Sequence, residues 1–269
     1  KRKMRRMKQP SKGFVMVASK KVAFYYSACN LMECIKDYMP DANVTLFCSP
    51  EFKDHRCEDF DNVFDVENPD FLREKLYGMA NSPYDITFYM DCDGEVVHED
   101  IATVFDQLED CDMKYVILKD DPISLKSFVE KDFQCDGVTE TMSLCGGVCL
   151  YDRRNPLVRD FMQDWYDMFW IQEHRHTIPE DQHWWKGHGV KDSMLRWDQF
   201  TLWWLTNKMP KYKDLKIGEF DDNYRWNWFT SFRRNEHGEY NLVKKHPIFI
   251  HHSSSMNKGL DEFKTEVKL

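Results

Sequence analysis

Short apolar runs alternate with longer runs of helical spacing through the first 120 residues, and this alternation constrains the fold more than any other feature. The strand patterns lie at 13–20, 43–49, 60–66, 86–90 and 114–119, and the helical patterns lie at 26–38, 71–79 and 101–108. Strands separated by helices predict a mostly parallel sheet with helices on both faces, because a parallel pair needs a crossover connection. Ligands of such α/β sheets bind beyond the carboxyl ends of the strands.

The second half of the chain has a different pattern. A strand interrupted by two glycines is predicted at 140–153, helices at 156–172 and 196–209, and a short strand at 248–250. All nine tryptophans lie in this half. No Gly/Ser-rich linker separates the two halves, so we expect a basic tail at 1–12 followed by a single domain at 13–269.

Composition and charge exclude several classes of function. The net charge of −9 argues against a broad nucleic-acid-binding face, although the tail and the segment SFRRN at 231–235 are basic. The nine cysteines are odd in number and form no CxxC pair, which predicts reduced thiols in a cytoplasm, without disulfides or structural zinc. No run approaches the roughly 18 apolar residues of a membrane span, so we expect no integral membrane segment.

Asp91 and Asp93 follow the apolar strand 86–90 directly. Residues two apart in an extended segment point the same way, so both carboxylates can bind one hard divalent cation such as Mg²⁺ or Mn²⁺. These cations bind diphosphates, and the pair therefore indicates a site for a metal-bound nucleotide. The alternative is a solvated turn of the form Asp-x-Asp ahead of Gly94.

The strand, the DxD pair and the acidic stretch that follows resemble the donor site of nucleotide-sugar-dependent glycosyltransferases of the GT-A fold. Three further segments, FVMVASKKVAFYYSACN, LCGGVCLYDRR and HPIFIHHSSSMNKG, occur in the order found in that family. The resemblance covers residues from about 14 to 260 and is strongest with the glycogenin-like, lipopolysaccharide-galactosyltransferase-like retaining branch. It implies a GT-A domain with a nucleotide-binding half at 13–120 and an aromatic-rich acceptor half at 121–269.

The first of these segments resembles the strand and loop that hold the base and ribose of the donor nucleotide. On that resemblance, Val17, Ala18 and Lys20 line the base site, and Tyr25 or Tyr26 lies near the ring. The alternative is an ordinary first βα loop with core aromatics.

The second segment resembles the small-residue strand beside the donor sugar, where Gly146 and Gly147 would let a ligand approach the backbone closely. A β-bulge without a ligand is the competing explanation. RWDQF at 196–200 resembles a catalytic element beside donor sugar and acceptor, which makes Asp198 and Gln199 the expected catalytic residues. Asp198 would hydrogen-bond the sugar, stabilise oxocarbenium-like charge, or act as a base in an inverting reaction. As a purely structural residue, it would be a helix N-cap or a first-turn acid that interacts with the helix dipole.

The third segment resembles the strand that delivers the last metal ligand of the retaining branch. Only one of His251 and His252 can face the site in an extended strand, and we expect His251 to join Asp91 and Asp93 as the ligand. Lys258 would meet the diphosphate, although the family's usual glycine-lysine order is not reproduced here.

The aromatic residues of the second half include candidates for ligand stacking. Trp184 and Trp185 lie in a histidine-rich stretch that lacks the spacing of a zinc site, so we expect them to face sugar rings or bases on the acceptor side. Three other tryptophans have the helical spacing of core residues, namely Trp165, Trp203 and Trp204.

Together these features predict a metal-dependent glycosyltransferase that moves a sugar from a UDP-sugar to an acceptor hydroxyl, with retention favoured over inversion by the resemblance alone. A nucleotidyltransferase is a rival, but it should have a glycine-rich loop after the first strand, and ASKKVAFYY contains no glycine. A non-catalytic carbohydrate- or nucleotide-binding protein on the same scaffold is another. The acceptor remains open between a glycan, a lipid-linked sugar, a protein and, for a phage enzyme in its host's cytoplasm, a modified base of viral DNA.

Overall fold

The computed structural model describes residues 9–117, 144–190, 192, 194–229 and 246–251. In chain order the strands are β1 (Lys12–Ala18), β2 (Val44–Cys48), β3 (Asn62–Asp65), β4 (Ile86–Met90), β5 (Gly94–Val96), β6 (Met113–Ile117), β7 (Leu144–Asp152), β8 (Ile217–Glu219), β9 (Trp228–Phe229) and β10 (Phe249–His251). The α-helices are α1 (Val22–Tyr38), α2 (Lys75–Ala80), α3 (Pro156–Glu173) and α4 (Asp198–Asn207), and a ten-residue 3₁₀ helix spans Glu99–Leu108.

Within the described residues, seven strands form the main sheet, in the order β3-β2-β1-β4-β7-β6-β8. All neighbouring pairs are parallel except those of β7, which runs antiparallel to both β4 and β6. β7 belongs to the aromatic-rich half of the sequence, yet it lies between two strands of the first half. Both halves therefore share one mostly parallel sheet, as the strand and helix alternation predicts.

The main sheet is covered on both faces, which explains why its central strands are apolar without polar alternation. On β1, Phe14 and Met16 face a core that includes Tyr25 and Ile35 of α1. Val15 and Val17 face the opposite core, which is built largely on α2, α3 and α4. The two cores fix β1 and β4 rigidly, and with them the sheet edge at which the DxD pair begins.

A second sheet of three short strands, β5-β10-β9, lies directly after the DxD pair. β10 pairs antiparallel with β5, so that His251 lies opposite Gly94, and parallel with β9. The strands approach so closely that a Cβ on Gly94 would lie 2.5 Å from the Ile250 carbonyl oxygen, a contact only glycine avoids.

Several elements differ from the sequence expectations. The helix predicted at 71–79 begins only at Lys75. Residues 69–71 form a turn instead, because two groups of the loop after β1 hold them: the Lys20 N–H donates to the Pro69 carbonyl, and Ser19 Oγ donates to the Phe71 carbonyl. The segment 101–108 is 3₁₀ rather than α-helical. β7 spans its two glycines, but its register with β6 shifts there, as the alternative of a β-bulge predicts: Tyr115 lies opposite Cys149 and Val116 lies opposite Cys145. β5, β8 and β9 have only two or three residues each, too few for a periodic pattern.

Other expectations concern burial and chemistry. Trp165, Trp203 and Trp204 are buried, as their spacing predicts. The eight cysteines within the described ranges are free thiols. Among the described residues, no helix combines the length and apolar character needed to cross a membrane.

Candidate active site

Asp91, Asp93 and His251 converge beyond the carboxyl end of β4. The Asp91 N–H donates a 2.8 Å hydrogen bond to the Gly147 carbonyl of β7, which fixes the first carboxylate at the sheet edge. Asp93 directly precedes Gly94, the β5 residue that lies opposite His251. Pairing of β5 with β10 therefore brings the histidine beside the second carboxylate, and one ligand atom from each of the three side chains lies within 4.8 Å of the others.

His251 is buried and is oriented from both sides of its ring. Its Nε2 lies 3.0 Å from Asp93 Oδ1, and its Nδ1 lies 3.3 Å from Asn227 Oδ1. Burial would lower the pKa of His251, but the charge and hydrogen bond of Asp93 outweigh it and raise this pKa. Burial would raise the pKa of Asp93, yet His251 holds it below its ordinary value. Without a metal, the two side chains therefore form an ion pair.

The three side chains fit a divalent cation. Carboxylate oxygens and an imidazole nitrogen are suitable ligands for Mn²⁺, and two ligands bound to one Mg²⁺ at about 2.1 Å lie at most about 4.2 Å apart. His251 Nε2 and Asp93 Oδ1 are already within that limit at 3.0 Å, and no separation in the cluster exceeds 4.8 Å, so small rotations would complete the site. His251 has the position expected of the third ligand, while His252 and Lys258 lie outside the described residues.

The glycine pair of β7 has two different surroundings. A Cβ on Gly147 would lie 2.8 Å from Asp91 Oδ2 and 3.5 Å from His251 Cε1. A Cβ on Gly146 would instead make ordinary contacts, 3.4 Å from Trp165 and 3.7 Å from Asp198 Oδ2. Gly147 thus borders the acidic cluster, and Gly146 borders Asp198.

Lys75 and Arg73 connect the acidic cluster beside Gly147 with Asp198, and neither is among the site residues expected from the sequence. The Lys75 ammonium lies 3.5 Å from Asp91 Oδ1 and 3.2 Å from Asp198 Oδ2, and it donates a 3.2 Å hydrogen bond to the Gly146 carbonyl. Arg73 Nε lies 3.4 Å from Asp198 Oδ1. The available signal was their position before and at the start of the helix leading into β4, because that helix begins near the edge that carries the DxD pair.

Asp198 is buried, with 3% of its surface exposed, and lies at the start of α4. Burial would raise its pKa, but Lys75 and Arg73 lower it below the ordinary value, so that the carboxylate is charged. Asp198 is not the N-cap, which is Trp197, but a first-turn acid, one of the two structural roles expected of it, and its carboxylate also contacts the two cations. The Asp198 Oδ2 atom lies 3.2 Å from the Lys75 ammonium but forms no well-directed hydrogen bond among the described residues, and a Cβ on Gly146 would lie 3.7 Å from it.

The backbone around Asp198 is held by buried donors. Trp165 Nε1 donates to the Asp198 carbonyl at 2.9 Å, and the Gln172 amide donates to the Trp197 carbonyl at 3.0 Å. Gln199, the other expected catalytic residue, is half-buried in the first turn of α4. Its neighbour Asp198 thus has the more rigid position.

The expected base-site residues at the end of β1 have mixed environments. Val17 packs against α2, where a Cβ on Gly78 would collide with it, and Ala18 is buried in the opposite core. Lys20 is exposed, with a positive φ of 65°, in the loop after β1. The Lys20 backbone and side chain are therefore the more accessible part of this group.

Tyr25 and Tyr26 lie on the first turns of α1. Tyr25 is fully buried, and its hydroxyl donates a 2.6 Å hydrogen bond to Asp54. Tyr26 is half-buried, with the Arg56 guanidinium 4.4 Å from its ring centroid. Tyr25 thus packs in the core and anchors Asp54, which precedes the 55–59 turn, whereas part of the Tyr26 ring is accessible to a ligand.

Trp184 and Trp185 pack into an aromatic cluster instead of presenting open faces. Trp184 Nε1 donates to the Met168 carbonyl, its ring stacks on Phe200, and Trp185 is 8% exposed. Trp197 is the tryptophan with the large exposure, at 38%, and it directly precedes Asp198. Sequence spacing could not distinguish these residues.

A scan against protein-family models found no match, and a search of curated proteins found no matching sequence. Solved structures match over nearly the whole chain. The galactosyltransferase LgtC in complex with donor and acceptor sugar analogs is 14% identical, with a TM-score of 0.52, and the match covers 94% of this chain and 94% of that chain. Mouse xyloside xylosyltransferase 1 in its apo form is 11% identical, with a TM-score of 0.51 and coverage of 93% and 99%.

The glycosyltransferase GlyE of Streptococcus pneumoniae TIGR4 also matches, at 12% identity and a TM-score of 0.53, over 91% of this chain and 56% of that longer one. At these identities the likeness concerns the fold. The chain has the mixed α/β architecture of GT-A glycosyltransferases, and the fold class predicted from the sequence is confirmed.

Proposed function

We propose that this protein is a metal-dependent glycosyltransferase that transfers a sugar from a UDP-sugar to an acceptor hydroxyl with retention of configuration. The observation that carries the proposal is the convergence of Asp91, Asp93 and His251 within 4.8 Å, beside a glycine pair and a buried, charged Asp198. Fold likeness to a galactosyltransferase and a xylosyltransferase supports it. The choice of UDP and of retention rests on the sequence resemblance.

Asp91, Asp93 and His251 would hold Mn²⁺ or Mg²⁺. When bound, the cation would neutralise the donor diphosphate as it becomes the leaving group. A neutral His251 is required for this, and its Nε2 already faces Asp93 at 3.0 Å. Gly147 lets the Asp91 carboxylate lie directly against β7, because a Cβ at that position would be 2.8 Å from Asp91 Oδ2.

Lys75 and Arg73 supply positive charge that needs no metal. Burial would lower the pKa of Lys75, but Asp198 and Asp91 raise it, so that the ammonium stays charged between them. A fixed ammonium near the leaving diphosphate would stabilise charge without reorganising water. We therefore assign Lys75 to the donor side, in addition to the residues expected from the sequence.

Asp198 and Gln199 would act on the transferred sugar. The Asp198 Oδ2 atom lies beside Gly146, where it could accept a hydrogen bond from a sugar hydroxyl and stabilise positive charge at the anomeric carbon. A glutamine-to-glutamate variant of LgtC is described as an active-site mutant. This supports keeping Gln199 as a second candidate on the same turn.

A carbohydrate acceptor is favoured over DNA. Trp197 is exposed beside Asp198, and the apolar face of a sugar ring stacks well on indole. Leu72, which directly precedes Arg73, is also 40% exposed. Each partner of the Arg73–Asp198 ion pair therefore directly follows an exposed apolar residue in the chain. Of the basic segments that motivated a DNA acceptor, 1–12 and 231–235, only residues 9–12 lie within the described residues.

The first test is a thermal-shift panel of UDP, GDP, CDP and ADP, each with Mn²⁺ or with EDTA. We expect stabilisation by UDP, only with Mn²⁺, in the wild type. Asp93→Asn should lose the response, whereas Asp106→Asn, which changes an exposed carboxylate, should keep it. Absence of any response in the wild type would contradict the donor site and favour a binding protein with another ligand.

A second test addresses chemistry and stereochemistry. The wild type is incubated with UDP-sugars and a panel of glycan acceptors, and the anomeric coupling of the product is measured by proton NMR. A product with the donor's anomeric configuration would support retention, and an inverted product would contradict it. Transfer of a nucleotidyl group instead of a sugar would identify the rival reaction.

A further inference from the structure

Asn227 is a fully buried amide between a metal-ligand candidate and a buried thiol. Its Oδ1 lies 3.3 Å from His251 Nδ1, and its Nδ2 donates a 3.0 Å hydrogen bond to Cys145 Sγ. An amide buried at this depth is destabilising unless both its ends are hydrogen-bonded. Both of its ends have partners here, and one of them is the histidine of the proposed metal site.

We propose that Asn227 is a positioning residue that selects the tautomer of His251, an inference that rests on the proposed metal-dependent function. Because Nδ2 is directed to Cys145, the amide presents an oxygen, which can only accept, to the imidazole. Asp93 accepts a hydrogen bond from the same ring at Nε2, so without a metal both ring nitrogens carry protons. When a cation takes the place of the Nε2 proton, the neutral ring keeps one N–H, and the contact with Asn227 Oδ1 would hold it on Nδ1 and leave the Nε2 lone pair to the cation.

The backbone makes Asn227 and His251 one unit. Arg225 Nε donates to the His246 carbonyl at 2.7 Å, and the Ile248 N–H donates to the Arg225 carbonyl at 2.7 Å. Further along both segments, Trp228 of β9 pairs with Ile250 of β10. These bonds tie the residues on either side of Asn227 to the segment ending at His251, so the amide keeps its register with the ring.

The other end of the Asn227 amide contacts Cys145, the residue before the glycine pair. Cys145 directly precedes Gly146 on β7, and it lies 82 residues from Asn227 in the sequence. A chain of contacts from Cys145 through Asn227 to His251 therefore joins the strand beside the donor-sugar region to the third metal ligand. We infer that the amide coordinates the positions of these two regions.

The test measures Mn²⁺ binding by electron paramagnetic resonance in the absence of any donor. Asn227→Leu keeps the volume and removes the oxygen, so we expect Mn²⁺ affinity to fall by about 10- to 100-fold. Asn227→Asp keeps an oxygen acceptor facing Nδ1, and it should bind Mn²⁺ within about threefold of the wild type or more tightly. Thr87→Val, which loses a buried hydrogen bond to Ser82 near the start of β4, is the control and should leave the affinity unchanged.

The outcomes separate this inference from the proposed function. Wild-type affinity in Asn227→Leu would overturn the positioning role while leaving the metal site intact. Failure of the wild type and of both Asn227 variants to bind Mn²⁺ would overturn the metal site, and the inference with it. Comparable losses in Asn227→Asp and Asn227→Leu would show that the oxygen acceptor is not what matters.

A second measurement uses the wild type alone, in case Asn227→Leu does not fold. Long-range proton–nitrogen NMR of histidine-labelled protein with Zn²⁺ as a diamagnetic probe reports the tautomer, and His251→Gln identifies the signals of His251. We expect a protonated Nδ1 and an unprotonated Nε2. A proton on Nε2 would overturn the proposal.

Discussion

The Gly147 carbonyl accepts a 2.8 Å hydrogen bond from the Asp91 N–H, and a Cβ on Gly147 would lie 2.8 Å from Asp91 Oδ2. The backbone of β7 thus holds Asp91, which directly follows β4, at a distance that only a glycine at position 147 allows. We expect Gly147→Ala to displace the Asp91 carboxylate and lower Mn²⁺ affinity about tenfold or more, measured by electron paramagnetic resonance.

Gly146→Ala is the matched control for that prediction. Its Cβ would make ordinary contacts, 3.4 Å from Trp165 and 3.7 Å from Asp198 Oδ2, so Mn²⁺ affinity should not change. Equal losses of Mn²⁺ affinity in both variants would mean that any added carbon disturbs β7, and the specific contact with Asp91 would lose its role.

Lys75 lies between two carboxylates with only 13% of its side chain exposed. Lys75→Met leaves Asp91 and Asp198 facing each other with less compensation, so we expect the free energy of unfolding to fall by about 3 kcal/mol. Urea denaturation of the protein without metal measures this. Lys36→Met, which breaks a more exposed ion pair with Asp61, should cost less than about 1 kcal/mol.

The buried carboxyl group of Glu74 should make the folding stability depend on pH. Burial raises the pKa of Glu74 above its ordinary value of 4.5, so the folded state binds this proton more tightly than the unfolded state. Below the unfolded pKa there is no penalty; as pH rises through the folded pKa, stability is lost because a buried carboxylate must ionise. The Tm of Glu74→Gln minus that of the wild type should therefore increase between about pH 4 and about pH 8. A difference that stays constant or decreases would contradict this account.

Trp197 tests the acceptor side of the proposed reaction. Trp197→Ala should raise the acceptor KM about tenfold, equivalent to about 1.4 kcal/mol, while leaving UDP-sugar affinity unchanged. Steady-state kinetics with the acceptor found in the glycan panel measures both. Tyr38→Ala removes a similarly exposed ring at the far end of α1 and should change neither constant. A parallel loss of donor affinity in Trp197→Ala would move this residue to the donor site.

The sequence by itself determined the α/β class and the position of the acidic pair. These are consequences of local patterns: five strand segments of the first half are observed close to the predicted bounds, and Asp91 follows a buried strand whose end is visible in the chain. The two-residue period of a strand indicates that only one of the two neighbouring histidines can face the site, and His251, the one within the described residues, lies beside the acidic pair.

Only the tertiary structure decided which side chains complete the site. Lys75 meets a carbonyl 71 residues away, and Asn227 reaches its two partners from a segment without a periodic pattern. The exposure of Trp197, the burial of Trp185 and the partial burial of Trp184 depend on how α3 and α4 pack. Such contacts join segments that are distant along the chain. A local sequence pattern predicts helices and strands, but it does not predict which helix and strand faces pack together in the folded protein.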